Sequence, residues 1–161
     1  MNSSENIIIE KAKPEDTAEL LRFLKAIGGE TDNLTFGAEG LPVPPDEERE
    51  LLASLETSET SAMFTAKKSG KIVGNAHFTG MTRERLKHRG TIGISVLKSE
   101  WGQGIGTMLM EAVIDFARNT AHAEIISLEV KSDNVRAIKL YERFGFEKIG
   151  CFKGFLKING K

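Results

Sequence analysis

The segment that most restricts this chain lies at residues 94–116, where ISVL leads through a short link into three glycines two residues apart and then an apolar stripe. Ile105, Met108, Leu109, Ala112, Val113 and Phe116 fall at i, i+3, i+4, i+7, i+8 and i+11, which predicts a helix with one buried face. A strand feeding such a helix needs a sheet for the helix to cover, so a layered α/β or α+β fold follows. Gly102, Gly104 and Gly106 let the backbone turn tightly and let a ligand approach without Cβ obstruction. The first N–H groups of the helix lack intrahelical acceptors and stand at its positive end, which suits a diphosphate. Thr107 adds a hydroxyl donor. A P-loop would need lysine after the last glycine, but Thr107 follows Gly106. The dinucleotide fingerprint G-x-G-x-x-G is missed by one residue, and the segment sits in mid-chain. From these residues alone, a phosphate cradle and a plain strand–helix turn both stand.

The rest of the chain supplies the sheet. Ile7 to Ala12 reads as a first strand, its three isoleucines suggesting burial, and Pro14 with Glu15 and Asp16 opens a helix that Gly28-Gly29 would end. Residues 30–44 have no period and read as a long loop; Pro45 then opens a second helix. Ser61–Ala66 and Lys71–Thr79 form a hairpin through KKSG, and a further strand runs over Thr91–Leu97. Glu124–Val130 reads as a strand, Val135–Phe144 as a short helix stopped by Gly145, and GFEKIGCFKGFLKI as a last long strand. At 161 residues the chain fits one domain spanning 1–161.

Charge and cysteine content narrow the class. With 22 basic and 23 acidic residues the net charge is −1, and no basic stripe points to nucleic acid. No apolar run approaches the ~18 residues that span a membrane, and the N-terminus lacks a signal-peptide pattern. Cys151 is the single cysteine and reads as a small buried residue of the last strand. His77, His88 and His122 lack metal-ligand spacing, so no metal is expected. The expected location is cytoplasmic. Arg83, Arg85, Lys87, His88 and Arg89 read as a solvated loop.

A second segment decides between the two readings of the glycines. LEVKSDNVRAIKLYERFGF, residues 128–146, sets Glu129, Asn134 and Tyr141 at spacings of five and seven across a strand-to-helix junction. Together with WGQGIG, the run Asn134, Ala137, Tyr141, Gly145 and Phe146 resembles the GNAT superfamily of N-acetyltransferases, densely over residues 91–152. The resemblance implies a mixed, mostly antiparallel sheet flanked by helices, and acetyl-CoA as co-substrate. It implies that the backbone of Ile94, Ser95 and Val96 lines a pantetheine opening. The pyrophosphate loop would be Gly102, Gln103, Gly104, Ile105, Gly106 and Thr107, and Trp101 stands where the family carries Gln or Arg. There Trp101 reads as packing.

By the same resemblance, Tyr141 would protonate the departing thiolate and Glu129 would accept the amine proton, with water chains as the alternative base. Asn134 would contact coenzyme A or cap the helix, two compatible roles. The acceptor would be a small-molecule or peptide amine, attracted by Glu30, Asp32 and Glu39 of the first interhelical loop. The family follows its last strand with a hairpin and a return strand; here Asn159-Gly160 supplies the turn signal and the return strand is missing. Either a tail follows, or a second copy covers the open edge in a homodimer. A non-catalytic coenzyme A sensor on the same fold, and an NAD-binding module, are the competing functions.

Overall fold

The computed structural model describes residues 6–161. β1 (Ile7–Lys11), β2 (Ser61–Lys68), β3 (Lys71–Gly80), β4 (Arg89–Val96) and β5 (Ile125–Ser127) form one sheet in the order β1-β2-β3-β4-β5. Every pairing is antiparallel except β4 with β5, which is parallel. The β2–β3 hairpin closes through Ser69 (φ 51°) and Gly70 (φ 79°), the two left-handed residues of a type I′ turn.

Alternation along the strands gives the sheet two apolar faces. Against one lie α3 (Ile105–Asn119) and α4 (Val135–Arg143), with Phe78, Ile92, Ile105, Leu109, Val113 and Phe116 at the centre of the core. Gly74 lets α3 sit close, since an added Cβ would stand 3.1 Å from Leu109 Cδ1. Against the other face lie α1 (Thr17–Glu30) and α2 (Pro45–Thr57), which bury Leu20, Phe23, Ile27 and Leu52 over Ile72. Each such side chain removed from water contributes roughly 1.5–3 kcal/mol. A 3-10 turn at Pro14–Asp16 starts α1, and Asp16 holds it by accepting from Lys13 N–H at 2.9 Å and from the Lys67 ammonium at 2.6 Å.

Several sequence expectations change. Ile8 is exposed, because β1 is an edge strand and only Ile7 and Ile9 pack against the α3 core. Gly28 does not end α1; the helix runs to Glu30, and Gly28 lies buried under the interhelical segment. β5 is three residues long rather than seven. Beyond it, the expected last strand is not formed, and residues 147–161 contain no strand. A strand needs a ladder to join, and β5 offers only three residues of edge, while Gly154 (φ 71°) breaks the run. Cys151 is consequently exposed rather than buried. The Asn159-Gly160 turn does form, with φ of 52° and 77° and reciprocal backbone hydrogen bonds between Ile158 and Lys161 at 3.0 Å.

Candidate active site

The pairing of β4 with β5 stops after Thr91–Ser127, whereas β4 continues on β3 as far as Val96. The two strands therefore part over residues 92–96. Which backbone groups face that opening follows from the antiparallel register. Leu97 N–H donates to Val73 C=O at 2.9 Å, so Leu97 and Ser95 are hydrogen-bonded positions toward β3. Ile94 and Val96 alternate with them and turn their N–H and C=O groups to the opening. Of the three expected backbone positions, two present polar groups there, and Ser95 is committed to Asn75.

At the top of the opening stands the glycine loop. Gly102 (φ 82°) and Gly104 (φ 79°) are both left-handed, and a Cβ at either would meet nothing within 4 Å. Glycine is required by backbone conformation rather than by crowding, and the space above the loop is clear. The first helical bond runs from Met108 N–H to Gly104 C=O at 3.0 Å, which leaves the N–H groups of Ile105, Gly106 and Thr107 without intrahelical acceptors. Gln103 does not point its amide into this space; it donates to Glu100 at 2.9 Å. Lys68 also binds Glu100, at 3.0 Å, and this hydrogen bond holds the carboxyl below its ordinary range.

Trp101 is more than packing. Its indole Nε1 donates to Val96 C=O at 3.0 Å, and the Arg136 guanidinium stacks 4.5 Å from the ring centroid. One side chain thus ties the end of β4 to the loop and to α4. Arg143 approaches from the same helix, its Nη2 3.4 Å from Thr107 Oγ1. Two arginines seven residues apart on α4 bring positive charge beside the loop, a feature absent from the sequence reading. Only their helical spacing could have signalled it. A Trp101→Ala chain loses a hydrogen bond and a cation–π contact, together about 1–2.5 kcal/mol of loop order. The expected result is acetyl-CoA affinity weakened about tenfold by calorimetry, with Trp101→Phe in between; equal affinity for all three would show that the indole does not order the loop.

The junction after β5 positions the remaining candidates. Asn134 caps α4, its side-chain oxygen accepting from Ala137 N–H at 3.3 Å. Gly145 (φ 89°) ends α4, and Phe146 N–H reaches back to Tyr141 C=O at 3.1 Å. The Tyr141 ring is buried, packed edge-on to Phe146 at 6.0 Å, and burial pushes its phenol up to about 12. No buried side-chain nitrogen or oxygen among the described residues lacks a partner, and the Tyr141 hydroxyl bonds to none of them, so it retains access to solvent. Glu129 is exposed, two residues beyond the end of β5. Of the three loop carboxylates, Glu30 accepts from Lys98 N–H at 2.6 Å and Glu39 from Gly37 N–H at 2.9 Å. Asp32 instead lines a cavity of about 330 Å³ with Lys131, Leu156, Ile158, Asn159 and Lys161.

The arrangement therefore combines a parted strand edge, a helix N-terminus flanked by two arginines and a buried phenol. Comparison with known proteins agrees with it. Residues 30–146 match the Acetyltransferase (GNAT) family. The L-amino acid N-acetyltransferase AaaT of Escherichia coli is 34% identical over 93 residues, covering 57% of this chain and 57% of that enzyme. The chain spans a little over half the length of the first curated relatives that it matches. Among solved structures, a GNAT-family acetyltransferase from Streptococcus pneumoniae superposes with a TM-score of 0.86 at 30% identity, over 90% of this chain and 87% of that one. The Salmonella typhimurium protein yncA, solved with its cofactor acetyl-CoA, shares the fold with a TM-score of 0.73 at 18% identity, over 88% and 79% of the two chains.

Proposed function

This chain belongs to the GNAT family of acetyltransferases, and from that premise we propose that it moves the acetyl group of acetyl-CoA directly onto a primary amine of a small molecule or peptide. The observation that carries the reading is the parting of β4 from β5 directly below the glycine loop. A coenzyme with an anionic diphosphate and an amide-bearing arm matches both parts. The N–H groups of Ile105, Gly106 and Thr107, with Arg136 and Arg143 beside them, take the diphosphate. The N–H and C=O of Ile94 and the N–H of Val96 take the amides of the arm, as a further strand would, while the Val96 carbonyl stays with Trp101 Nε1.

The thioester then lies in the opening, between the two faces of the sheet. On the α3/α4 face, Tyr141 donates its phenolic proton to the departing sulfur. A buried phenol stays protonated at neutral pH, as a donor must. From the other side the amine attacks the carbonyl carbon, and Glu129, exposed at the end of β5, accepts its proton. An α-amine of an amino acid or peptide fits this chemistry, in keeping with the L-amino acid activity named for the Escherichia coli relative.

The test is ligand-induced stabilisation followed by turnover. Acetyl-CoA at a hundredfold excess over Kd is expected to add ~2.7 kcal/mol, or roughly 5–11 °C in Tm, with no shift from NAD. Amines are then screened for release of free thiol. No shift at millimolar acetyl-CoA would sink the donor assignment, and a shift without thiol release from any amine would favour a coenzyme A sensor.

A further inference from the structure

We infer that His77 is a second proton-accepting catalytic residue, beside Glu129, its ring laid over the strand that borders the opening between β4 and β5; the inference rests on the transferase reading above. His77 lies on β3 and pairs with Gly93 of β4, so both positions project on the α1/α2 face. A Cβ at residue 93 would stand 2.3 Å from His77 Cε1, 3.0 Å from Nε2 and 3.1 Å from Nδ1. The imidazole therefore lies across the backbone of β4, in the room that glycine leaves, and reaches the strand that borders the opening. The last pair before the strands part, Thr91 with Ser127, projects on this same face, and Glu129 follows Ser127 by two residues.

The surroundings suit a proton acceptor. Burial holds the imidazole below its ordinary value of 6.5, so it is neutral at neutral pH. Neither ring nitrogen bonds to a described residue, and no buried nitrogen or oxygen among those residues lacks a partner, so both nitrogens keep access to solvent. The adjacent rows on this face are Ser61, Thr79 and Thr91 on one side and Thr65, Asn75 and Ser95 on the other, none of them titratable at neutral pH. On the elements covering the face, Glu19 pairs with Arg22, Glu30 and Glu39 accept backbone N–H groups, and Glu48 is buried in α2. Lys25, Asp32 and Glu129 are exposed. An imidazole is also the side chain whose ordinary titration lies closest to neutrality, where a general base works best.

In the step, the acceptor ammonium gives its first proton to Glu129, the amine nitrogen attacks the thioester carbon, a C–N bond forms and the C–S bond breaks. The second proton passes from nitrogen to the imidazole and the Tyr141 proton goes to sulfur; water then takes the protons of Glu129 and His77 and returns one to Tyr141. Tyr141 and His77 thus act from opposite faces of the sheet, with the reacting carbon between them.

The experiment is the pH dependence of kcat/KM, with the best amine from the panel, for the wild-type, His77→Gln and Glu129→Gln chains. His77→Gln keeps a polar side chain that accepts no proton at neutral pH. It is expected to lower kcat/KM on the order of 10²-fold and to abolish an acid-side fall in rate that sets in at a lower pH than for an ordinary imidazole, with the acetyl-CoA thermal shift unchanged. Glu129→Gln is expected to keep that acid limb. Gly93→Ala, whose methyl takes the place of the ring, is expected to reproduce the loss with His77 intact. His77→Gln within threefold of wild type, or an acid limb that survives it and vanishes in Glu129→Gln, overturns the assignment alone. A wild-type chain that binds acetyl-CoA and acetylates no amine overturns the transferase reading and this assignment with it.

Discussion

Tyr141→Phe is expected to lower kcat by about 10²–10³-fold while leaving acetyl-CoA affinity within twofold. The change removes one oxygen from a ring that is 7% exposed and packed against Phe146, so the fold and the pocket wall persist. What disappears is a hydroxyl with no partner among the described residues, on the face where, in the proposed reaction, the departing sulfur would gather charge. Burial, the force that pushes this phenol up to about 12, opposes the phenolate at every working pH. Activity should therefore show no alkaline fall traceable to this group below about pH 10. Because an unassisted thiolate can still leave, the loss is expected to be smaller for acceptors whose attack is itself slow. A kcat within threefold of wild type would show that sulfur departs without a phenol, and would return Tyr141 to the core of α4.

Gly28→Ala carries the largest expected cost in stability, about 2–3 kcal/mol net. In an isolated helix, alanine would gain about 1 kcal/mol over glycine. Here the added Cβ would stand 2.0 Å from Gly37 C=O oxygen and 2.8 Å from its carbon, with Phe36 Cδ2 at 2.9 Å. Two of these are backbone atoms of the segment linking α1 to α2, which cannot rotate away as a side chain would. Either α1 or the 31–44 segment must move. The expected midpoint shift is roughly 4–12 °C downward, read against Gly29→Ala as control. At Gly29 the added methyl would meet Ala38 alone, its Cβ at 3.3 Å and its Cα at 3.7 Å, so that variant should stay near neutral. Because the same segment lies on the α1/α2 face, from which the amine is proposed to approach, Gly28→Ala should also raise KM for the acceptor more than for acetyl-CoA. An unchanged midpoint would mean that the connecting segment yields freely.

The two variants separate what near neighbours encode from what distant contacts impose. The α3 stripe, the Ser69-Gly70 and Asn159-Gly160 turns, the Asn134 cap and the Gly145 stop were all legible, because each depends on backbone preference within a few residues. So was the glycine loop, whose two left-handed residues admit little but glycine. Illegible were the features that need a partner far along the chain. Gly28 reads as a helix terminator until Gly37 is seen lying on it. Trp101 reads as packing until Val96 and Arg136 arrive at its two ends. A seven-residue strand pattern at 124–130 yields three residues of β5, because β4 and β5 diverge and the ladder ends. The pattern at 145–158 yields none.

The sequence by itself determined the groups available: a glycine turn that leads into unbonded helix N–H groups, one tyrosine at a fixed helical distance from its cap, and the carboxylate before it. These are local in origin, set by dihedral preference and helical period. Only the tertiary structure decided where that chemistry converges. The antiparallel register chose Ile94 and Val96 over Ser95 to face the opening, and the absence of a side chain at Gly93 set the His77 ring across β4. The reason is physical: strand pairing and close packing join residues remote in the chain, and their outcome depends on which partner is within reach.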